Sequence, residues 1–232
     1  MIVPHLQRML NLEKLVSYLV VDCSETFIDG NNLKKNIVKY MPSLNEFVFN
    51  IRSLIIIDGQ MHLPTNQDIQ RTLTNFGDIE IISCVDYFPR ERSGQCHIYS
   101  HPYILTHYVN VTNNFPDGLF NHVQVVSLFE ERPFEHEFFI RLAQAFLFLK
   151  KLIVHNLKAQ NEKTNDDNNN NRNLSIIKYS HRIKLHLLHV HDDYAEQFLF
   201  DTKTCLPNDI YLTIDDDILQ RVTQFYQRCD TS

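Results

Sequence analysis

Glycine is scarce in this chain, with five among 232 residues. Gly30, Gly59, Gly77, Gly94 and Gly118 stand far apart. They form no G-x-G-x-x-G or G-x-x-x-x-G-K-S/T cradle, which excludes the nucleotide-binding routes that depend on one. There is no G-x-S-x-G elbow either, so a serine hydrolase has no support in the sequence. The five cysteines, Cys23, Cys84, Cys96, Cys205 and Cys229, are odd in number and widely spaced. They offer no C-x-x-C for zinc or dithiol chemistry. Long apolar runs are missing as well. The best candidate, Phe138 to Val154, is broken by Arg141, Gln144, Lys150 and Lys151, which reads as a buried helix and strand. Arg8, Glu13 and Lys14 interrupt the opening where a secretory signal would need an apolar stretch. The expected setting is the cytosol or nucleus, with reduced thiols and no secretion. Positive charge is in deficit, with 22 Lys+Arg against 28 Asp+Glu and a net charge of −6. That argues against nucleic acid and against an anionic membrane as partners.

What the chain does have is a recurring phrase, a short amphipathic helix followed by polar residues and an L-x-x-L-x-L-like strand. It occurs at Met9–Leu19, Met41–Phe49, Phe76–Cys84, Phe120–Leu128, Phe146–Val154 and Tyr179–Leu187, with a weaker copy at Leu206–Ile214. Such a unit cannot bury its own apolar side and is stabilised by stacking on its neighbours. The strand anchors Leu15, Phe47, Ile82, Val126, Leu152, Leu185 and Ile210 are 25 to 44 residues apart. Regular leucine-rich repeats run about 20–29 residues, so the register is irregular. The fold this predicts is α/β, a curved leucine-rich-repeat-like solenoid. A mostly parallel sheet lines its concave side, with helices outside. A compact α+β domain is the alternative.

Helix signals lie between the strands. Thr65 with Asp68 reads as a capping box. Pro133 is placed in a first turn, with Glu135 and Glu137 matched to the helix dipole, ahead of a stripe of Phe138, Phe139, Leu142, Ala145 and Phe146. Asp193 with Glu196 caps a helix carrying Tyr194, Phe198 and Leu199. Asp215–Asp217 open a last helix bearing Ile218, Leu219, Val222, Phe225 and Tyr226. Val85 to Ser100 reads as strand, turn, strand, with its tip at Arg90–Gln95. Residues 161–173 (NEKTNDDNNNNRN) hold no apolar side chain and are expected to be a mobile loop. The reading is therefore one repeat domain over 1–232, with the pairing of Ile98–Phe120 left open.

Catalytic constellations are weak. His181, His186, His189 and His191 cluster, but one segment supplies only two or three of the ligands a zinc site needs, so they read as histidines on and beside a strand edge. His136–Glu137 begins H-E-x-x-H, yet Ile140 stands where the second histidine belongs. Cys96 and His97 are strand neighbours and point to opposite faces. An enzyme built on His189, His191 or Cys96 is the less favoured reading. No catalytic residue, metal or cofactor is expected.

Several phrases are distinctive together: TFIDGNNL at Thr26–Leu33, MPSLNEFVFNIRS at Met41–Ser53, IISCVDYFP at Ile81–Pro89, GQCHIYS at Gly94–Ser100, TNNFPDGLF at Thr112–Phe120, SLFEERPFEHEFF at Ser127–Phe139 and HDDYAEQFL at His191–Leu199. Over nearly the whole chain they resemble uncharacterised F-box-domain proteins with an irregular leucine-rich-repeat region. The resemblance implies a protein-interaction module, the substrate-recognition region of a ubiquitin-ligase adaptor. It would contact the ligase's own adaptor only through an F-box upstream of Ile2–Leu15, which already reads as repeat. A stand-alone or degenerate repeat fragment is the alternative. In the repeat register, the residues flanking each inward pair project from the concave sheet. These are Tyr18, Glu46, Val48, Asn50, Lys151, Ile153, His155, Lys184, His186, Tyr211 and Thr213. Their mixture of aromatic, charged and amide side chains suits an unidentified protein partner; a solvated face without ligand is the plain alternative.

Overall fold

A computed structural model describes residues 11–59, 61–161, 175–179, 183–207 and 209–229, with only the backbone described at 225–229. Residues 162–173 of the expected loop, His181, and the side chains of Phe225 and Tyr226 lie outside that set. The chain is mixed α/β, and among the described residues six of eight strand pairings are parallel, so those strands are joined by crossovers. It forms two compact units, Met1–Leu105 and Thr106–Ser232.

The first unit holds β1 (Lys14–Cys23), α1 (Gly30–Asn36), a 3-10 turn at Val38–Tyr40, β2 (Glu46–Ile56), α2 (Asn66–Thr72), β3 (Glu80–Phe88) and β4 (Ser93–His101). Strand order is β1-β2-β4-β3. β1 and β2 are parallel, but β4 runs antiparallel to both β2 and β3. The hairpin is the one expected from Val85–Ser100, with a tighter tip between Phe88 and Ser93. Its return strand lies between β2 and β3, so the third repeat strand does not stack directly on the second. One sheet face carries the core. Phe47, Phe49, Ile51, Ile55, Ile81, Cys96 and Ile98 pack with Leu33, Ile37, Ile69 and Leu73. In β3 the inward residue is Ile81, followed by Ser83, which bonds Asn66 and Gln70 of α2. The expected Ile82 anchor is off by one, because two adjacent isoleucines leave strand parity undetermined.

Capping fixes the two helices. The Thr65–Asp68 box is present, and Asp29 with Asn32 forms a second box that opens α1. Gly30 is required by close approach. A Cβ there would lie 2.0 Å from the Thr72 carbonyl oxygen, and its N–H donates to Thr72 Oγ1 at 2.8 Å.

The second unit contains β5 (His107–Val111), β6 (Val125–Phe129), α3 (His136–Ala145), β7 (Lys151–Asn156), β8 (Ile177–Lys178), β9 (Lys184–Val190), α4 (Asp192–Leu199), β10 (Thr204–Cys205), β11 (Tyr211–Ile214) and α5 (Asp216–Cys229). Its main sheet is parallel throughout, in the order β11-β9-β7-β6-β5. The inward rows are Tyr108, Val126, Leu152 and Leu185, then Val111, Leu128, Val154 and Leu187, all at most 2 % exposed. An aromatic layer supports them: Phe120 stacks on Phe146 with centroids 4.8 Å apart, and Phe139 meets Phe198 edge-on at 5.1 Å.

Two helix starts differ from the sequence reading. Pro133 lies outside α3, whose N-cap is Glu135; the Pro133 carbonyl instead accepts from Asn113 Nδ2 at 3.1 Å. His191, not Asp193, caps α4, because its ring nitrogen accepts from the Asp193 N–H. The Asp193 carboxylate is buried and accepts from Gln160 N at 2.8 Å. At α5, the Asp215 carbonyl accepts from Ile218 and Leu219, and its carboxylate accepts from His189 N.

Candidate functional site

Alternation along the five parallel strands of the second unit sends every other residue away from the core. In-register pairing then aligns these outward residues in rows across the sheet. The first row is His107, Val125, Lys151, Lys184 and Tyr211; the next holds Ser127, Ile153, His186 and Thr213. Phe129 and His155 follow as partners in a third. Seven residues expected to face a partner from this unit, Lys151, Ile153, His155, Lys184, His186, Tyr211 and Thr213, therefore share one face. His155, Lys184, Tyr211 and Thr213 are exposed, and Lys151, Ile153 and His186 are half-buried.

The face is ordered by local contacts. Lys184 Nζ lies 5.5 Å from the centroid of the Tyr211 ring, a cation–π arrangement. His155 Nδ1 is 3.0 Å from the Leu188 carbonyl. Asn110, at φ 54, makes the bulge in β5 and donates its N–H to Ser127 Oγ at 2.9 Å. Charge on the face is one-sided. Among the described residues no outward strand position carries a carboxylate, while Lys151 and Lys184 are register partners. Partial burial, then the two lysines, lower the pKa of His186. His186 is thus held toward its neutral form by partial burial first and by the positive charge of the two lysines second.

The four expected residues of the first unit are placed differently. Glu46 is exposed and pairs with Lys14 at 2.7 Å. Tyr18 is half-buried, and it is the register partner of Asn50. Val48 and Asn50 are buried, at 9 % and 0 % exposure, so they are not available to a partner. Asn50 belongs to a polar layer on that side of β2, β3 and β4 that includes Tyr103. Asn50 Nδ2 donates to Tyr103 Oη at 2.8 Å, and Tyr103 meets Tyr99 edge-on at 5.2 Å.

That layer holds a second constellation, Cys84, Asp86, Gln95, His97 and Arg52. Cys84 and His97 are register partners on adjacent strands, a pairing that alternation alone could not reveal. They do not make a nucleophile. Cys84 Sγ donates to Asp86 Oδ2 at 3.8 Å, and burial followed by that carboxylate pushes the thiol pKa well up. Burial, and then Arg52, lower His97 to about 3, so it cannot act as a base near neutral pH. Arg52 Nε donates to Gln95, which donates to Asp86; the cluster is a hydrogen-bonded polar network on the sheet face opposite the apolar core. Cys96 faces the apolar core on the opposite side, as expected from its adjacency to His97.

Among the described residues no group of three or more His, Cys, Asp or Glu converges as a metal site. His189 is exposed, while His191 is engaged with Asp193 at 3.2 Å. Among the described residues no helix is long and apolar enough to cross a membrane. Comparison with models of protein families, with curated proteins and with solved structures found no match.

Proposed function

We propose that the chain is a protein-interaction module, and that the outward face of β5, β6, β7, β9 and β11 is its docking surface. The observation that carries this is the alignment of Lys151, Ile153, His155, Lys184, His186, Tyr211 and Thr213 on one face of sequentially ordered parallel strands. On this reading the second unit is a short leucine-rich-repeat-like solenoid, in which each added strand extends both the core row and the binding row. Tyr211, 57 % exposed at the edge strand, is the natural aromatic anchor. The resemblance of TFIDGNNL, SLFEERPFEHEFF and HDDYAEQFL to F-box repeat proteins gives the role its finer form: selecting a protein for ubiquitin transfer.

A photo-crosslinking amino acid placed at Ile153 or His186 tests the docking surface, with Gln144, exposed on α3, as the control position. One protein recovered from both sheet positions and not from Gln144 is the expected result. Recovery of the same proteins from Gln144, or of none from the sheet, would remove the surface from consideration. The ligase role requires that the crosslinked protein gain ubiquitin when the chain is overproduced; unchanged modification and turnover would argue against it.

A further inference from the structure

Resting on that docking surface, we infer that its occupant is an acidic, extended segment of a partner protein, held by Lys151 and Lys184. The two lysines are register partners on neighbouring parallel strands, about 4.8 Å apart in strand spacing. Like charges set side by side on a sheet repel and lower stability. Here, among the described residues, neither lysine forms an ion pair, and no outward strand position carries Asp or Glu. The depressed pKa of His186 is a second sign of the same field, since both lysines contribute to it. The neighbours on this face are Val125 and Tyr211 in the lysines' own row and Ile153, His186 and Thr213 in the next, which set one aromatic ring and single apolar side chains beside the cations.

The surplus is local. The chain as a whole carries −6, so the positive face is not the by-product of a basic protein. An overall negative charge repels the long polyanionic backbone of a nucleic acid, whereas a short acidic peptide needs only the patch. The complement is therefore a peptide with carboxylates spaced to meet Lys151 and Lys184, and an apolar residue over Ile153. Binding of this kind is steered by charge and weakens as salt screens it.

Fluorescence anisotropy of the whole chain with a labelled oligoglutamate tests this, using oligolysine and a single-stranded oligodeoxynucleotide of equal length as comparisons. Oligoglutamate is expected to bind, and oligolysine is not. Affinity should fall about tenfold or more between roughly 50 mM and 300 mM salt, and about as much in K151E/K184E. K151R/K184R should keep it, because the charge is kept. Circular dichroism checks that each variant folds. Absence of oligoglutamate binding, undiminished binding by a folded K151E/K184E, or equal binding of the oligodeoxynucleotide would overturn the acidic-segment assignment. Crosslinking of one protein from Ile153 together with failed oligoglutamate binding would overturn this assignment alone. Failure of both would remove the docking surface as well.

Discussion

His97 shows how a residue with catalytic chemistry is turned to structure. It is 1 % exposed, its Nδ1 lies 3.4 Å from Asn50 Oδ1, and Arg52 adds a positive charge nearby. Burial first, then Arg52, take its pKa from the ordinary 6.5 to about 3. The sign of the linkage follows. A histidine in the unfolded chain takes up a proton below about pH 6.5, whereas the folded one refuses it until about pH 3. Stability is therefore complete above pH 6.5 and erodes as the pH falls through that window, by about 1.4 kcal/mol per pH unit for this one group. Urea unfolding of the wild type and His97→Gln between pH 7 and 4.5 checks it. The variant is expected to start less stable and to fall less steeply with acid. Equal slopes would mean that His97 binds its proton alike in both states. The carboxylates and the remaining histidines titrate in both chains, so the difference in slope isolates the His97 imidazole.

Elements depend on positions that look unremarkable in the sequence. Gly30 follows Asp29 in TFIDGNNL, a pair that reads as a turn, yet it is the first residue of α1 and allows that helix to meet the end of α2 at backbone distance. Gly30→Ala puts a methyl group 2.0 Å from the Thr72 carbonyl oxygen, which belongs to backbone and cannot swing aside. A loss of about 1–3 kcal/mol or more is expected, against less than about 0.5 kcal/mol for the exposed Lys35→Ala in the same helix. Thermal unfolding of both compares them, and a Gly30→Ala melting point equal to that of Lys35→Ala would contradict the close approach. The same contrast explains what was legible beforehand. Leu185 falls in its strand with the expected parity because Lys184 and His186 flank it, and Leu152, with Ile153 beside it, keeps its parity as the register partner of Leu185. Ile81–Ile82 gave no such alternation, and the parity slipped. β5 carries no leucine phrase, and its bulge at Asn110 breaks what pattern it has. The Asp29–Asn32 box lacks the Glu or Gln that marks the common form, and the Asp193 cap was displaced by the histidine two residues earlier.

At the scale of the molecule, the outward rows of the second unit were legible because parallel pairing in sequence order preserves register from strand to strand. The first unit was not, since an antiparallel return strand entered between two expected neighbours, Asn50 is bonded to Tyr103, and Val48 and Asn50 are both buried. That difference has a consequence for folding. Every strand of the five-stranded sheet pairs with another strand of the same unit, and its inward rows and aromatic layer are drawn from residues beyond Thr106. A chain that contains its own pairing and its own core meets the requirement for folding alone. Residues 106–232 expressed separately are therefore expected to unfold in a single cooperative thermal transition. The oligoglutamate binding of the whole chain should survive in it, because Lys151 and Lys184 are both present. A gradual, non-cooperative melt would show that the sheet needs residues before Thr106 to hold its register. A cooperative melt with binding lost would separate the two properties, leaving the fold in the second unit while the acidic segment depends on more of the chain.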